Sequence, residues 1–159
     1  MNTRSDGLLK DIQAKLSFES RVKENVNYLK VSREHYIEAA ERLRRNGFRR
    51  LLTISAVDWV RRGVFEVYFL VSDPDKSLYV KVSTEIPCDE PEVPSLSKLW
   101  PNAAMHERET WELFGINFVG NDSLKPLFLE GWDGPSPFRK DFNWREYVKR
   151  VYKLPQAEK

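Results

Sequence analysis

A single cysteine, Cys88, occurs in the 159 residues, and that scarcity removes two classes of function at once. A lone thiol closes no intramolecular disulfide, and it holds no iron–sulfur cluster without thiolates from other chains. Histidine is nearly as scarce: His35 and His106 are too few for a structural zinc site without carboxylate help. No run approaches the roughly 20 apolar residues that span a bilayer. The opening MNTRSDGLLKDIQAKL carries no apolar signal core, so any link to a membrane is expected to pass through a partner. An excess of one charge is missing as well. Lys and Arg number 26 against 24 Asp and Glu, a formal +2, without the segregated basic surplus of a nucleic-acid binder. A phosphate-cradling glycine loop and a nucleophile–base constellation are also absent, which argues against an enzyme working alone.

Present instead are 41% hydrophobic residues and five tryptophans, enough for one packed core. Residues 6–16 place Leu8, Leu9, Ile12 and Leu16 on one face of a short amphipathic helix. Residues 26–31 read as a strand. Ser32 as N-cap and Gly47 just past the end bracket a helix whose apolar stripe is Tyr36, Ala40 and Leu43. Three strands follow over 51–57, 64–72 and 78–85, joined by the DWVRRG loop and the Asp73-Pro74-Asp75 turn. This order predicts an α+β fold, an antiparallel sheet with helices on one face (ferredoxin-like), followed by an extended C-terminal arm. The proline- and acid-rich stretch 86–101 is expected to cross the surface without regular structure. A helix from about Asn102 to Phe114 should stop at Gly115. Beyond it glycine, proline and aromatics interleave without period, so that segment must hold its shape by docking. Residues 145–154 read as a short helix or a basic tail. The chain thus divides into an α+β domain, 1–118, and an extended partner-binding arm, 119–159.

The densest chemistry lies between Met105 and Ile116. On a helix, Arg108 and Glu112 stand four apart and can pair, while Glu109 and Glu112, three apart, bring two carboxylates side by side. Three uses are open. Adjacent carboxylates separate their pKa values and can act as general acid and base. They can equally be a solvated helix face. Or Glu107, Arg108 and Glu109 can pair with a partner's charges beside Trp111 and Phe114, residue types enriched at interface hot spots. Cys88 has no basic neighbour in sequence to activate it. An RNA-binding module would need aromatics on a basic sheet face; Tyr68 and Tyr79 are present, but Glu66 shares the face of Tyr68.

His106-Glu107-Arg108-Glu109-Thr110-Trp111-Glu112-Leu113-Phe114-Gly115-Ile116-Asn117-Phe118-Val119-Gly120 resembles the signature of the 30 kDa-type subunit family of complex I. That pattern runs Glu-Arg-Glu, two residues, an acidic, an apolar and an aromatic residue, then Gly-Ile-x-Phe-x-Gly. Trp132-Asp133-Gly134 and Arg139-Lys140-Asp141-Phe142 resemble its Trp-Glu-Gly and Arg-Lys-Asp-Tyr elements, and Pro91–Leu96 its proline-flanked approach. Glu112 stands where the family usually has aspartate, and Asn121–Pro126 lacks its usual histidine and arginine pair. One residue is added between Gly134 and Arg139. These departures resemble the branch of membrane-bound energy-converting nickel–iron hydrogenases and relatives.

The resemblance implies a non-catalytic, cofactor-free peripheral-arm subunit of a membrane-bound oxidoreductase, a hydrogenase or an NADH- or other donor-driven quinone reductase. It implies docking on the large NiFe-type/49 kDa-type subunit, beside iron–sulfur subunits, at the cytoplasmic face of the cell membrane. Membrane subunits would be reached indirectly, and no nucleic acid is involved. Iron–sulfur clusters, and nickel–iron in the hydrogenase branch, would sit in partner subunits. At the expected interface Trp111, Phe114, Phe118, Trp132 and Phe138 are apolar anchors, with internal packing as their alternative. Arg108, Arg139 and Lys140 would meet acids on the partner, and Glu107, Glu109, Glu112, Gly115 and Asp141 complete the set.

Overall fold

The computed structural model describes residues 7, 10–12 and 14–153 and, of residues 17 and 18, the backbone alone. Its centre is a five-stranded sheet in the order β1-β2-β5-β4-β3, built from β1 (Ser17–Lys23), β2 (Val26–Val31), β3 (Arg50–Trp59), β4 (Val64–Asp73) and β5 (Leu78–Pro87). All neighbours are antiparallel except β2 and β5, which run parallel. That parallel pair needs a crossover, and α1 (Tyr36–Arg45) with β3 and β4 supplies it.

Strand β4 shows why one face is covered. Phe65, Val67, Phe69 and Val71 alternate with polar or half-buried neighbours, and all four are fully buried. Phe69 meets the edge of Tyr36 on α1 at 5.3 Å and lies 6.0 Å from Trp100, while Phe65 meets Phe114 at 6.2 Å. Phe114 ends α2 (Ala103–Phe114), so both helices pack on the same face. The opposite face is a lattice of mixed charge: Lys30 bonds Glu85, Trp59 bonds Glu66, and Lys81 sits 3.9 Å above the Tyr68 ring. Arg21 covers Tyr28 in the same manner, so these rings are capped by the chain's own cations. An open stacking platform for bases is not what this face offers.

Several expectations shift in detail. The helix expected over 32–47 opens with a 3-10 turn (Arg33–His35) and is α-helical from Tyr36; Ser32 bonds the His35 ring rather than a backbone amide. Residues 10–12 and 14–15 are helical and Ile12 and Leu16 are buried, while Leu8 and Leu9 lie outside the described residues. The stretch expected to be irregular contains β6 (Glu92–Pro94), paired in parallel with β7 (Asn117–Val119). Strand β1 is an addition to the elements expected from sequence. Residues 144–152 form the helix α3 (Trp144–Tyr152), capped by Asn143, whose side chain accepts from Glu146 N; Leu154 lies outside the described residues.

Candidate interface on α2 and the C-terminal segment

Helix α2 begins after Trp100, whose ring is buried and whose Nε1 donates to Phe48 O at 3.1 Å. It lies along the outer edge of the sheet. Asn102 Nδ2 donates to Leu51 O and Thr110 Oγ1 to Ile54 O, so the helix occupies carbonyls of edge strand β3 that would otherwise face solvent. Gly115 ends the helix at φ +76°, and a Cβ there would stand 3.0 Å from Ser136 Oγ. Helix and C-terminal segment therefore approach as closely as a glycine allows.

The signature residues divide by where α2 points them. Glu107 faces inward and is fully buried. Its Oε1 accepts from Leu96 N at 2.6 Å, and its Oε2 accepts from Ser95 Oγ at 2.7 Å and Asn121 Nδ2 at 2.8 Å. One carboxylate thus ties the loop before α2 to the turn after β7. The neighbouring Tyr36 hydroxyl is buried with no hydrogen bond among the described residues, and burial, then the Glu107 charge, push its pKa upward. Phe114 and Phe118 are buried in the same core. The side chains of Glu107, Phe114 and Phe118 are enclosed by their own chain, which for Phe114 and Phe118 is the internal packing given as the alternative to partner contact.

Arg108 and Glu112 do not pair with each other. Arg108 donates through Nε to Lys125 O at 2.6 Å and through Nη2 to Pro126 O. Glu112 accepts the successive amides of Leu127, Phe128 and Leu129 at 3.0, 2.9 and 2.9 Å. Burial alone would raise the Glu112 carboxyl; the three amides and nearby Arg108 outweigh it and hold it below the usual carboxylate range. Glu109 is half-buried and, among the described residues, has no hydrogen-bond or ion-pair partner.

The later residues form a second cluster. Phe138 stacks edge-on against Phe114 at 5.7 Å and donates its amide to Leu113 O, yet its ring is 57% exposed. Arg139 lies 5.3 Å from the Phe65 ring and grips Asp141 with two hydrogen bonds, which lower the Asp141 pKa. Lys140 gives its amide to Asp58 Oδ2 at 2.8 Å and leaves its side chain exposed. Trp132 packs with Tyr147 and Phe142 at 5.0 and 6.2 Å, and Trp111 lines a cleft of about 240 Å³ between α2 and Trp132. Cys88 lies near Asp58 and Arg139; burial, then the Asp58 charge, raises its thiol pKa, the opposite of activation.

Sequence reasoning misses Asp58 and Asn121. Asp58 is 4% exposed in an otherwise apolar stretch of β3, and a charged residue interrupting a buried strand is the available signal. Asn121 gives none.

Among the described residues, no three His, Cys, Asp or Glu side chains converge as a metal site requires, and no helix is long and apolar enough to cross a membrane. Comparison with known proteins agrees with the signature. The model of the family described as respiratory-chain NADH dehydrogenase, 30 Kd subunit, matches residues 29–148. The C 1 subunit of NADH-quinone oxidoreductase from Rhizobium etli is 37% identical over 108 residues, 67% of this chain and 53% of that protein. The C subunit of F(420)H(2) dehydrogenase from Methanosarcina mazei is 35% identical over 96 residues, 60% of this chain and 61% of that protein. The chain spans about half the length of the first of these relatives. Among solved structures, a chain of the membrane-bound sulfane sulfur reductase, an archaeal respiratory membrane complex, superposes with a TM-score of 0.83 at 26% identity, over 98% of this chain and 95% of that one. The trypsin-resistant fragment (1-134) of Nqo5 gives 0.65 at 25% identity over 78% and 99%. With its sheet, its α2 signature and well over half of its length matched, the chain belongs to the family of the respiratory-chain NADH dehydrogenase 30 kDa subunit.

Proposed function

We propose that this chain is a non-catalytic, cofactor-free subunit in the water-exposed arm of a membrane-bound, complex I-related oxidoreductase. It docks on and stabilises the large NiFe-type/49 kDa-type subunit at the cytoplasmic face, and electrons pass through clusters held by other subunits. The observation that carries this reading is the end-to-end likeness to a subunit-sized chain of an archaeal respiratory membrane complex. The surface fits such a role. Phe128, Phe138 and Trp144 are 64%, 57% and 58% exposed, large apolar groups with little cover from their own chain. Glu109 offers a half-buried charge without an internal partner among the described residues, and Lys140 an exposed cation two residues from Phe138. Residues 119–159 would be the partner-binding arm.

The branch of energy-converting hydrogenases and related reductases is favoured over NADH-driven enzymes. The departures from the signature support this preference: Asn121–Pro126 lacks the usual histidine and arginine pair, and one residue is added between Gly134 and Arg139. Affinity purification of the tagged chain from gently solubilised native membranes tests the reading. A NiFe-type large subunit with iron–sulfur and membrane subunits should co-purify, and its nickel content separates the branches. Recovery of the chain alone, or with RNA, removes the proposal.

A further inference from the structure

Residues 122–143 contain no buried side chain and, apart from turns, no regular element. A segment of that kind is ordinarily mobile and orders only on a partner. Here it is held at two places, and the hydrogen bonds from the body go to its backbone. At the first, Arg108 takes the carbonyls of Lys125 and Pro126 while Glu112 takes the next three amides. At the second, Leu113 O accepts Phe138 N at 2.9 Å and Asp58 accepts Lys140 N. Between them the chain turns on itself through Trp132 N to Leu129 O. Beyond them Trp132, Phe142 and Tyr147 close on one another, and Tyr147 Oη donates to Asp133 at 2.7 Å.

The geometry points to an arm that is already docked in the free chain, with Asp58, Arg108 and Glu112 as its positioning residues. Backbone hydrogen bonds fix the arm's path and leave most of its side chains free of the body. Phe128 and Lys140 are left outward, and Phe138 stays largely exposed beside Phe114, so two of the signature's charged residues reach a partner only through the surface the arm presents. The ordering entropy of some twenty residues is then met during folding of this chain and not at assembly, which favours tight association. This goes beyond the proposed function, because it concerns the chain alone and holds whatever the partner is.

Hydrogen exchange on the purified full-length chain, without partners, tests it. The amides of Leu127, Phe128, Leu129 and Lys140 should exchange at least about tenfold more slowly than unstructured amides. Glu112→Ala should bring 127–129 to the unstructured rate while β4 and β5 amides keep their protection. Asp58→Ala should release Lys140 and leave 127–129 slow. Asp58→Asn, which keeps an acceptor oxygen, should retain protection at Lys140. Exchange at unstructured rates in the wild-type free chain would overturn the inference. So would loss of protection across the whole sheet in both alanine variants, because these residues would then be supporting the body and not positioning the arm.

Discussion

The body of the molecule, up to Asn121, and the arm beyond it are stabilised by different physics. Among the described residues of the body, 26 apolar side chains form one buried core, and buried Glu107, Thr110 and Asn121 are hydrogen-bonded inside it. Beyond Asn121 no described residue is buried. The arm relies on charged side chains of the body gripping its backbone and on stacked rings at its own surface. Cooperative unfolding therefore belongs to the body, and local opening to the arm. The signature on α2 serves both: Glu107 points into the body and Glu112 onto the arm.

The largest expected effect lies in the core. Phe69→Ala removes a fully buried ring that touches both Tyr36 and Trp100. Denaturant unfolding should show a loss of about 3–5 kcal/mol with a reduced transition midpoint. A loss under about 1 kcal/mol would mean that the helices flanking this ring are not sharing one core. Glu107→Ala comes next. It strands the Leu96 amide and the Asn121 side chain in a buried site, at a cost of about 2–4 kcal/mol in the same measurement. Glu107→Gln should cost less, because its oxygen still accepts from Leu96 even though its amino group confronts Asn121.

The arm should behave otherwise. A Cβ at Gly134 would stand 2.5 Å from the Trp132 ring and 2.9 Å from Tyr147. Gly134→Val should therefore displace Trp132, visible as a shift in tryptophan emission, while the unfolding free energy of the body changes by less than about 1 kcal/mol. A large global loss would show that the arm belongs to the cooperative unit, and the contrast between the two regions would fail.

How far the sequence discloses each region follows the same division. The helix expected to stop at Gly115 runs Ala103–Phe114, because period and terminator are both local signals. Strand β4 is legible for the same reason. Strand β1 is not: Glu19 to Lys23 are all exposed and have no apolar alternation, so their conformation is set by pairing with β2. The three-residue strands β6 and β7 escape notice because each is defined by the other, across the whole of α2. At the site, the spacing of Arg108 and Glu112 suggests an intrahelical pair. Both turn instead to backbone groups in a segment whose path no periodicity announces. Charge–backbone contacts leave no trace in residue type at the receiving end, which is why the arm's fastening is invisible in the sequence and Asp58 is legible only as a charge interrupting a buried strand.

The smallest predicted effect is a pH dependence confined to the arm. Glu112 has a carboxyl pKa held below the ordinary range in the folded chain, so the folded state binds its proton less readily than the unfolded state. Its contribution is therefore complete above the unfolded value, about 4.3, and is lost as pH falls through the lower folded value. Arg108, on the same helix, is the cation that assists it; from the arm the groups facing it are the amides of 127–129. Acidification should shift the amide resonances of 127–129 at a pH below the ordinary glutamate range, before the β4 amides move. Protonation removes one acceptor charge but leaves a carbonyl oxygen, so the amides should loosen without the body unfolding. If those resonances titrate at the ordinary glutamate value, the amides are not gripping an ionised carboxylate, and the arm must be held by its rings and by Asp58 instead.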